Sequence, residues 1–302
     1  DRMDYLSCHM NNEAVCLAVE KGLEMEIPER VKVVRTIISE LTRLSSHQLW
    51  WGVMGMDLGA ITSFLYGFRD REMITDIFEE TCGARLTMNY NIPGGLMFDI
   101  PANFQTKVKE FIIHFRKKLP EYNQLMTDNI IFRNRTEGIG ILTKEDAISY
   151  GVTGPSGRAS GWNNDIRKIK PYSAYDRVDF KEITYTEGDS FARYKVRIDE
   201  MWESMNIIEQ LIDNIPEGNY KEKTRVVIKL PKTEIYQSVE TARGELGVYI
   251  NSDGKKNPYR VKFRSPGLSN LNALNSMAKG GKIADLVTIM STIDLVIPDI
   301  DR

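Results

Sequence analysis

The residue types that most often bind metal or phosphate are present in this sequence, but their spacing does not form a recognisable site. Cys8, Cys16 and Cys82 are too few and too scattered for a disulfide framework or a Cys-x-x-Cys metal site. The three histidines, at positions 9, 47 and 114, have no ligand-like spacing. The glycine-rich stretch 151–161 is not followed by Lys-Ser/Thr, so it is not a phosphate-binding P-loop. We therefore expect that the chain itself binds no metal and no other cofactor.

Two side chains are candidates for proton chemistry. Tyr5 carries a phenol, and a phenol, with a pKa near 10, can donate a hydrogen bond or a proton. Asp57 is the only charged residue between Leu49 and Phe68, and burial raises the pKa of a carboxyl. Simpler roles exist for both. From the residues alone, a tyrosine at the edge of the core and an aspartate that caps a helix beginning near Ile61 are favoured.

Composition describes an ordinary globular protein. The 302 residues are 42% hydrophobic and 27% charged, with a formal net charge of −2. A nucleic-acid-binding protein normally shows a basic excess, so this class is disfavoured. Three scattered cysteines favour a reducing compartment. The chain begins at Asp1 with no initiator methionine, which predicts that part of the protein precedes it.

The stretch 49–68 is long enough to cross a membrane as a helix. It contains four glycines, however, and Asp57 lies near its centre, where a charge in a bilayer is costly. The sequence Gly-Met-Asp-Leu-Gly at 55–59 is typical of a break between two helices. We therefore predict a buried helix–turn–helix rather than a membrane span.

The coarse pattern predicts an α+β protein that is mainly α, with a helical core and a small β element. Apolar residues at 31, 34, 38 and 41 recur at helical spacing with charged residues between them, which predicts an amphipathic helix packed on one face after Pro28. Three segments follow from composition: a helical one at 1–130, a loop-rich one at 131–192, and 193–302 packing on the same core. Individual helices are predicted at 11–25, 61–80, 104–127, 194–215, 268–278 and 281–292, a turn at 91–95, and a β-hairpin from 246–250 and 259–263.

Several motifs together resemble the D subunit of respiratory complex I, the 49 kDa quinone-site subunit of NADH:quinone oxidoreductase, without its N-terminal part. The resemblance extends from end to end, and the motifs are specific in combination. It implies the fold of the related nickel–iron hydrogenase large subunit. The motifs are DRMDYLS at 1–7, MDLGA at 56–60, SG at 160–161, DIRK at 165–168, PY at 171–172, RGE at 243–245, SDG at 252–254, YR at 259–260 and IDR at 300–302.

The resemblance implies a role in quinone reduction, with electrons from a 4Fe–4S cluster in the neighbouring B subunit. Tyr5 matches the family tyrosine that hydrogen-bonds the quinone head group. Asp57 matches the aspartate that pairs with a histidine ligand, which in the family lies upstream of Asp1. A desolvated carboxylate beside an imidazole would suit a proton relay. Hydrogenases bind metal through two cysteine pairs, and the sequence IPDID at 297–301 has none, which excludes a working hydrogenase.

Other positions are assigned only by the resemblance. Arg2 and Ser7 flank Tyr5 and are candidates to support it, whereas His47 matches no ligand and is predicted to lie on a helix surface. The candidate lining residues are apolar and could equally be plain core. They are Val53, Met56, Phe64, Phe68 and Val296.

Two departures from the family pattern have consequences. Thr87 stands where the family often has a histidine near the cluster, which predicts a lower cluster potential and favours a low-potential quinone such as menaquinone over ubiquinone. The join at 227–231 is short, as in relatives of complex I that are not fed by NADH. A related membrane-bound complex therefore stays open as an alternative.

The resemblance also predicts partners and location. The partners would be the B, C, H and I subunits of complex I together with the quinone, and no nucleic acid. The chain would be peripheral, on the cytoplasmic face of the bacterial inner membrane. A non-catalytic scaffold role is the alternative from another functional class, and it would not need both Tyr5 and Asp57.

Overall fold

The computed structural model describes residues 1–225 and 227–301, so Arg302 of the C-terminal motif lies outside the described residues. The chain is mainly helical with a small β element, as predicted. Helices α1 to α13 span Cys8–Gly22, Glu29–Asp57, Ile61–Cys82, Phe104–Tyr122, Ile130–Thr136, Lys144–Tyr150, Gly154–Arg158, Ile166–Ile169, Ser190–Ile212, Pro266–Asn272, Leu274–Ala278, Ile283–Ile293 and Ile297–Ile300. Strands β1 to β5 span Asn91–Ile92, Gly95–Leu96, Thr233–Glu240, Glu245–Ser252 and Arg260–Arg264.

The predicted helix–turn–helix is present. Helix α2 starts after Pro28, whose fixed φ suits a helix start, and ends at Asp57. Gly59 then takes a φ of 92°, which a residue with a side chain rarely adopts, and α3 begins at Ile61. In the described part of the chain, no helix is both long and apolar enough to cross a membrane.

Helix α2 is buried on almost every side, so the prediction of an amphipathic helix packed on one face is wrong. The charged residues Arg35, Glu40 and Arg43 are at most 1% exposed. Helices α1, α3, α9 and α12 all contact α2, which leaves it little solvent-facing surface. The charges are tolerated because each has a partner, as where Arg35 Nη2 lies 2.7 Å from Glu20 Oε1.

A buried network of charges joins α2 to helices and strands distant in sequence, and we call it the α2–α9 ionic cluster. Arg158 Nη1 lies 2.7 Å from Glu240 Oε1, and Arg167 Nη1 lies 3.1 Å from Glu40 Oε1. Burial raises the pKa of Glu40, but Arg43 and Arg167 outweigh it and lower the pKa to about 2. The cluster consists of Glu40, Arg43, Arg158, Asp165, Arg167, Glu200 and Glu240.

The β structure consists of two small antiparallel sheets. Strands β1 and β2 form a hairpin with Gly94 at a φ of 90°, where a turn was predicted. The predicted hairpin is β4 and β5, in which Val248 pairs with Phe263. Strand β3 was not predicted; it pairs with β4 at the opposite edge, and its Ile235 and Val239 face the core. The sheet order is β3-β4-β5.

Helical boundaries agree with the sequence pattern except near the C-terminus. The predicted helix at 268–278 is two helices, α10 and α11, joined at Ala273, and the short α13 was missed. Helix α4 passes into a π-helical turn, Asn123–Thr127, before α5. One large hydrophobic core draws residues from α1 to α4, α9 and the three-stranded sheet. The division into three segments stays a prediction.

Candidate functional site

Tyr5 lies in the turn that leads into α1, and Asp4 organises that turn. The Asp4 carboxylate accepts a hydrogen bond from Leu6 N at 3.1 Å, and its carbonyl accepts one from Ser7 N at 3.0 Å. The Tyr5 carbonyl accepts from Cys8 Sγ at 2.8 Å. The Tyr5 ring is half-buried, and among the described residues its hydroxyl has no hydrogen-bond partner. The hydroxyl is therefore held on an ordered turn and is free to bond a ligand.

The two residues predicted to support Tyr5 differ in environment. Arg2 is exposed, so its guanidinium is available to solvent or to a partner. Ser7 is fully buried, and its hydroxyl has no partner among the described residues. Neither side chain contacts Tyr5 through a hydrogen bond in the described part of the chain. Their supporting role stays a prediction.

Asp57 is the last residue of α2, and it is exposed rather than desolvated as predicted. Its carboxylate accepts a hydrogen bond from the hydroxyl of Ser291 on α12. The helix break places it on the surface, between the end of α2 and the start of α3. The simpler role of a helix cap is not observed either, because Ala60 precedes α3 and no side chain caps it.

The predicted apolar lining divides into two places. Val53 and Met56 lie on the last turns of α2, and Phe64 and Phe68 face each other on α3 with ring centroids 4.4 Å apart. The three residues other than Met56 are half-buried, and Met56 is 41% exposed. Val296 is buried at the start of α13. The helix break thus carries an accessible apolar surface beside Asp57.

Tyr5 and Asp57 do not touch, but one face of α2 connects their surroundings. Ser46, Trp50, Val53 and Asp57 follow one another at spacings of four, three and four residues, which places them on one helix face. Trp50 Nε1 donates to the Ser291 carbonyl at 2.7 Å. From Ser46, near the Asp4 turn, to Asp57 the rise along the helix is about 16 Å. A molecule contacting both candidates has to extend along this face.

His47 is buried, so the prediction of a helix-surface histidine is wrong. Its Nε2 lies 3.1 Å from Glu200 Oε2 in the α2–α9 ionic cluster. Burial is the main cause that lowers the pKa of His47, to about 4, against the opposing effect of Glu200. The contact that buries it comes from α9, more than a hundred residues later in the chain.

Thr87 lies on the turn after α3 and is exposed. Its φ of 51° places the backbone in the left-handed region, which is uncommon for a β-branched residue. Thr87 is close in sequence to Met88, whose backbone contacts the Cys8 thiol. An exposed position is compatible with a neighbouring protein in a complex, and its relation to a cluster stays a prediction.

Among residues 1–225 and 227–301, no group of three or more His, Cys, Asp or Glu side chains is arranged to hold a metal ion. The sequence profile described as the respiratory-chain NADH dehydrogenase 49 Kd subunit matches residues 57–229 and 223–302. The chain belongs to this family. The matched ranges include Asp57 and Val296, while Tyr5 precedes them.

Individual relatives of this complex I family extend the similarity to the whole chain. The chain is 56% identical over 302 residues to the C/D subunit of NADH-quinone oxidoreductase from Bacteroides fragilis and 55% identical to that from Bacteroides thetaiotaomicron. It spans 57% of the length of these relatives. It is also 47% identical to the D subunit of NADH-quinone oxidoreductase from Bacillus cereus, of which it spans 82%.

The structure adds three residues to the site that sequence reasoning had not assigned. Asp4 organises the Tyr5 turn, Ser291 binds Asp57, and Arg243 contacts Asp4. Asp4 and Arg243 lie within motifs of the family resemblance, so a signal existed for them. Ser291 has no such signal, because only the packing of α12 on α2 places it at Asp57.

Proposed function

We propose that this chain is the quinone-site component of a proton-pumping NADH:quinone oxidoreductase. In this role it forms the head-group site next to a 4Fe–4S cluster held by the B subunit, and it supplies proton donors. The observation that carries the proposal is the half-buried Tyr5 hydroxyl, which is held on an ordered turn and has no partner among the described residues. The names of the relatives, the D and C/D subunits of NADH-quinone oxidoreductase, support it.

The chemistry asks little of the chain beyond binding and protons. Reducing a quinone to a quinol takes two electrons and two protons, and negative charge builds on the carbonyl oxygens. The cluster supplies the electrons, so this chain needs a donor at each oxygen and an apolar surface for the ring. Tyr5 supplies one donor, and Asp57 relays a proton through the histidine of the upstream loop. Val53, Met56, Phe64, Phe68 and Val296 line the slot.

The proposal includes partners and location. Contacts with the B, C, H and I subunits are supported by the C/D fusion of the Bacteroides relatives and by exposed apolar residues near the helix break. These residues are Met56, Ile61 and Leu65 on one side and Ile283 and Val287 of α12 on the other, which are 38–91% exposed together with Leu286. The chain is then peripheral, at the cytoplasmic face of the bacterial inner membrane. Menaquinone is the proposed quinone because of Thr87.

We also propose that the helical core has the fold of the nickel–iron hydrogenase large subunit. The burial of α2 among other helices and the end-to-end run of family motifs support this relationship. An experimental structure of the assembled complex tests it directly. Superposition of α2, α3, α4 and α9 on a hydrogenase large subunit should preserve their order and directions.

The test of function is Tyr5→Phe in the full-length protein within the assembled complex. The substitution keeps the ring and deletes only the donor hydroxyl, so quinone reduction should fall at least about tenfold. NADH:ferricyanide activity, which bypasses the quinone site, should not change. The matched control is Tyr259→Phe, because Tyr259 is 77% exposed on the edge of the small sheet and far from α2 in the sequence.

The outcomes separate the alternatives. Full quinone reduction in Tyr5→Phe would assign the chain to the scaffold class and remove the catalytic role. Equal loss of both activities would indicate failed assembly instead of lost chemistry. Loss of quinone reduction in a complex that accepts electrons from a donor other than NADH would favour the related membrane-bound complex.

A further inference from the structure

Arg243 lies in the turn between β3 and β4, and its buried guanidinium joins three parts of the chain. Nη1 donates to Asp4 Oδ2 at 2.8 Å and to Ser46 Oγ at 3.2 Å. Nε donates to the Asp294 carbonyl at 3.0 Å, and Nη2 donates to Asp294 Oδ1 at 3.0 Å. The partners belong to the Tyr5 turn, to α2 and to the residue that ends α12. The planar fork of an arginine fixes the relative positions of all three.

The turn that carries Arg243 is itself rigidly held. The Arg243 carbonyl accepts from Asn270 Nδ2 at 3.1 Å. Gly244 takes a φ of 137°, and a Cβ there would lie 2.5 Å from Thr153 Oγ1. Thr153 Oγ1 also accepts from Glu245 N at 3.1 Å. The guanidinium therefore projects from a backbone that packing and hydrogen bonds hold in one conformation.

Each side of the fork leads to one of the proposed head-group residues. Asp4 precedes Tyr5 and accepts the hydrogen bond from Leu6 N that shapes the Tyr5 turn. Asp294 lies three residues after Ser291, whose hydroxyl binds Asp57. Asp294 also has a φ of 62°, so it sets the direction in which the chain leaves α12. Movement of the fork would shift the Tyr5 side and the Asp57 side relative to each other.

We infer that Arg243 is a positioning residue that sets the distance between Tyr5 and the Asp57–Ser291 pair. This inference rests on the proposed function. Two buried carboxylates, Asp4 and Asp294, would repel each other and their turns would separate without the cation between them. Arg243 does not contact the quinone, and it acts on turnover only through the residues that it holds in place.

The test is a double-mutant cycle of Arg243→Lys with Tyr5→Phe in the assembled complex. Lysine keeps the charge but cannot form the fork, so quinone turnover per ferricyanide-active complex should fall about tenfold in a wild-type background. In the Tyr5→Phe background the same change should cost less than about twofold, because the hydroxyl that it misplaces is already gone. Equal factors in the two backgrounds would overturn the inference.

Arg35→Lys is the matched control. Arg35 is equally buried, pairs with Glu20 and donates to the carbonyls of Ile92 and Gly95, none of which adjoins the site. Its effect on turnover per assembled complex should be the same with and without the Tyr5 hydroxyl. A context-dependent effect of Arg35→Lys as large as that of Arg243→Lys would show that general loosening of the fold causes the coupling, and it would overturn the inference.

Should Arg243→Lys fail to assemble, Asp4→Asn replaces it in the same cycle. Asparagine keeps the shape and the acceptor for Leu6 N but removes the charge that Arg243 holds. It should show the same dependence on the Tyr5 hydroxyl, and an independent effect would overturn the inference. The proposed function has its own readout in the cycle: full turnover of Tyr5→Phe alone refutes that function, whatever the effect of Arg243→Lys.

Discussion

At the residue scale, His9 shows how a residue type suited to metal binding acts here as packing. It lies on α1 with its ring centroid 4.9 Å from that of Phe78 and 6.1 Å from that of Tyr90. Neither ring nitrogen has a hydrogen-bond partner among the described residues. Burial without a partner lowers the pKa of His9 to about 3. The imidazole is therefore neutral in the folded chain at physiological pH.

We predict that His9 makes folding pH-dependent. Its pKa is about 3 in the folded chain and 6.5 in the unfolded chain, so the unfolded state takes up the proton first as pH falls. The contribution is fully present above about pH 6.5 and is lost as pH falls toward 3, with roughly 2 kcal/mol lost by about pH 5. Denaturant unfolding of the wild type and of His9→Phe at several pH values measures it. Parallel pH profiles for the two proteins would contradict the assignment.

At the element scale, glycines let α2 and α3 approach closely enough to form the helix break around Asp57. A Cβ on Gly67 of α3 would lie 2.6 Å from the Gln48 carbonyl of α2. A Cβ on Gly52 of α2 would lie 3.1 Å from the Phe64 Cα. The close contact of the two backbones orients Phe64 and Phe68 beside the end of α2. The four glycines that argue against a membrane span therefore include two that pack the helices together.

Gly67→Ala should destabilise the chain even though alanine favours a helix. The gain in helix propensity is about 1 kcal/mol, while overpacking against a backbone carbonyl costs about 1–3 kcal/mol. Thr62→Ala is the control, since Thr62 is exposed on the same helix, and its effect should be within about 0.5 kcal/mol. Denaturant midpoints with unchanged slopes measure both. A Gly67→Ala protein as stable as the wild type would show that α3 can shift away from α2 at little cost.

At the scale of the whole molecule, the α2–α9 ionic cluster ties together segments from all three predicted sequence regions. Arg158 of α7 bonds Glu240 of β3 at 2.7 Å and also the carboxylate of Glu200 on α9. Arg43 of α2 donates to the Glu240 carbonyl at 2.7 Å. Because all of these groups are buried, removing one cation leaves carboxylates without compensation.

We predict that Arg158→Met destabilises the chain by about 3–5 kcal/mol, because it leaves Glu200 and Glu240 buried without their main cation. Arg133→Met is the matched control: Arg133 and Glu137 form an exposed pair at 2.6 Å, which is worth less than about 1 kcal/mol. The free energies of unfolding from denaturant titration measure the difference. Similar losses for the two variants would mean that solvent reaches the cluster.

Local patterns in the sequence were sufficient for most elements and for the family. The periodicity of α9, the Pro28 start of α2 and the glycine break before Ile61 depend on residues within a few positions of one another, so sequence reasoning located them. The motif around Tyr5 likewise needs no tertiary information. Strand β3 was missed because its place beside β4 is set by pairing and by contact with α1.

Long-range contacts decided which charges are buried. By sequence alone, Arg35, Glu40, Arg43 and His47 belong to the polar face of a helix, yet partners such as Glu200 and Glu240 lie more than a hundred residues away in sequence and make their burial possible. Asp57 is the opposite case, an aspartate in an apolar stretch that the helix break places on the surface. Burial depends on what packs against a residue, and sequence neighbours do not determine that when the contacts come from distant parts of the chain.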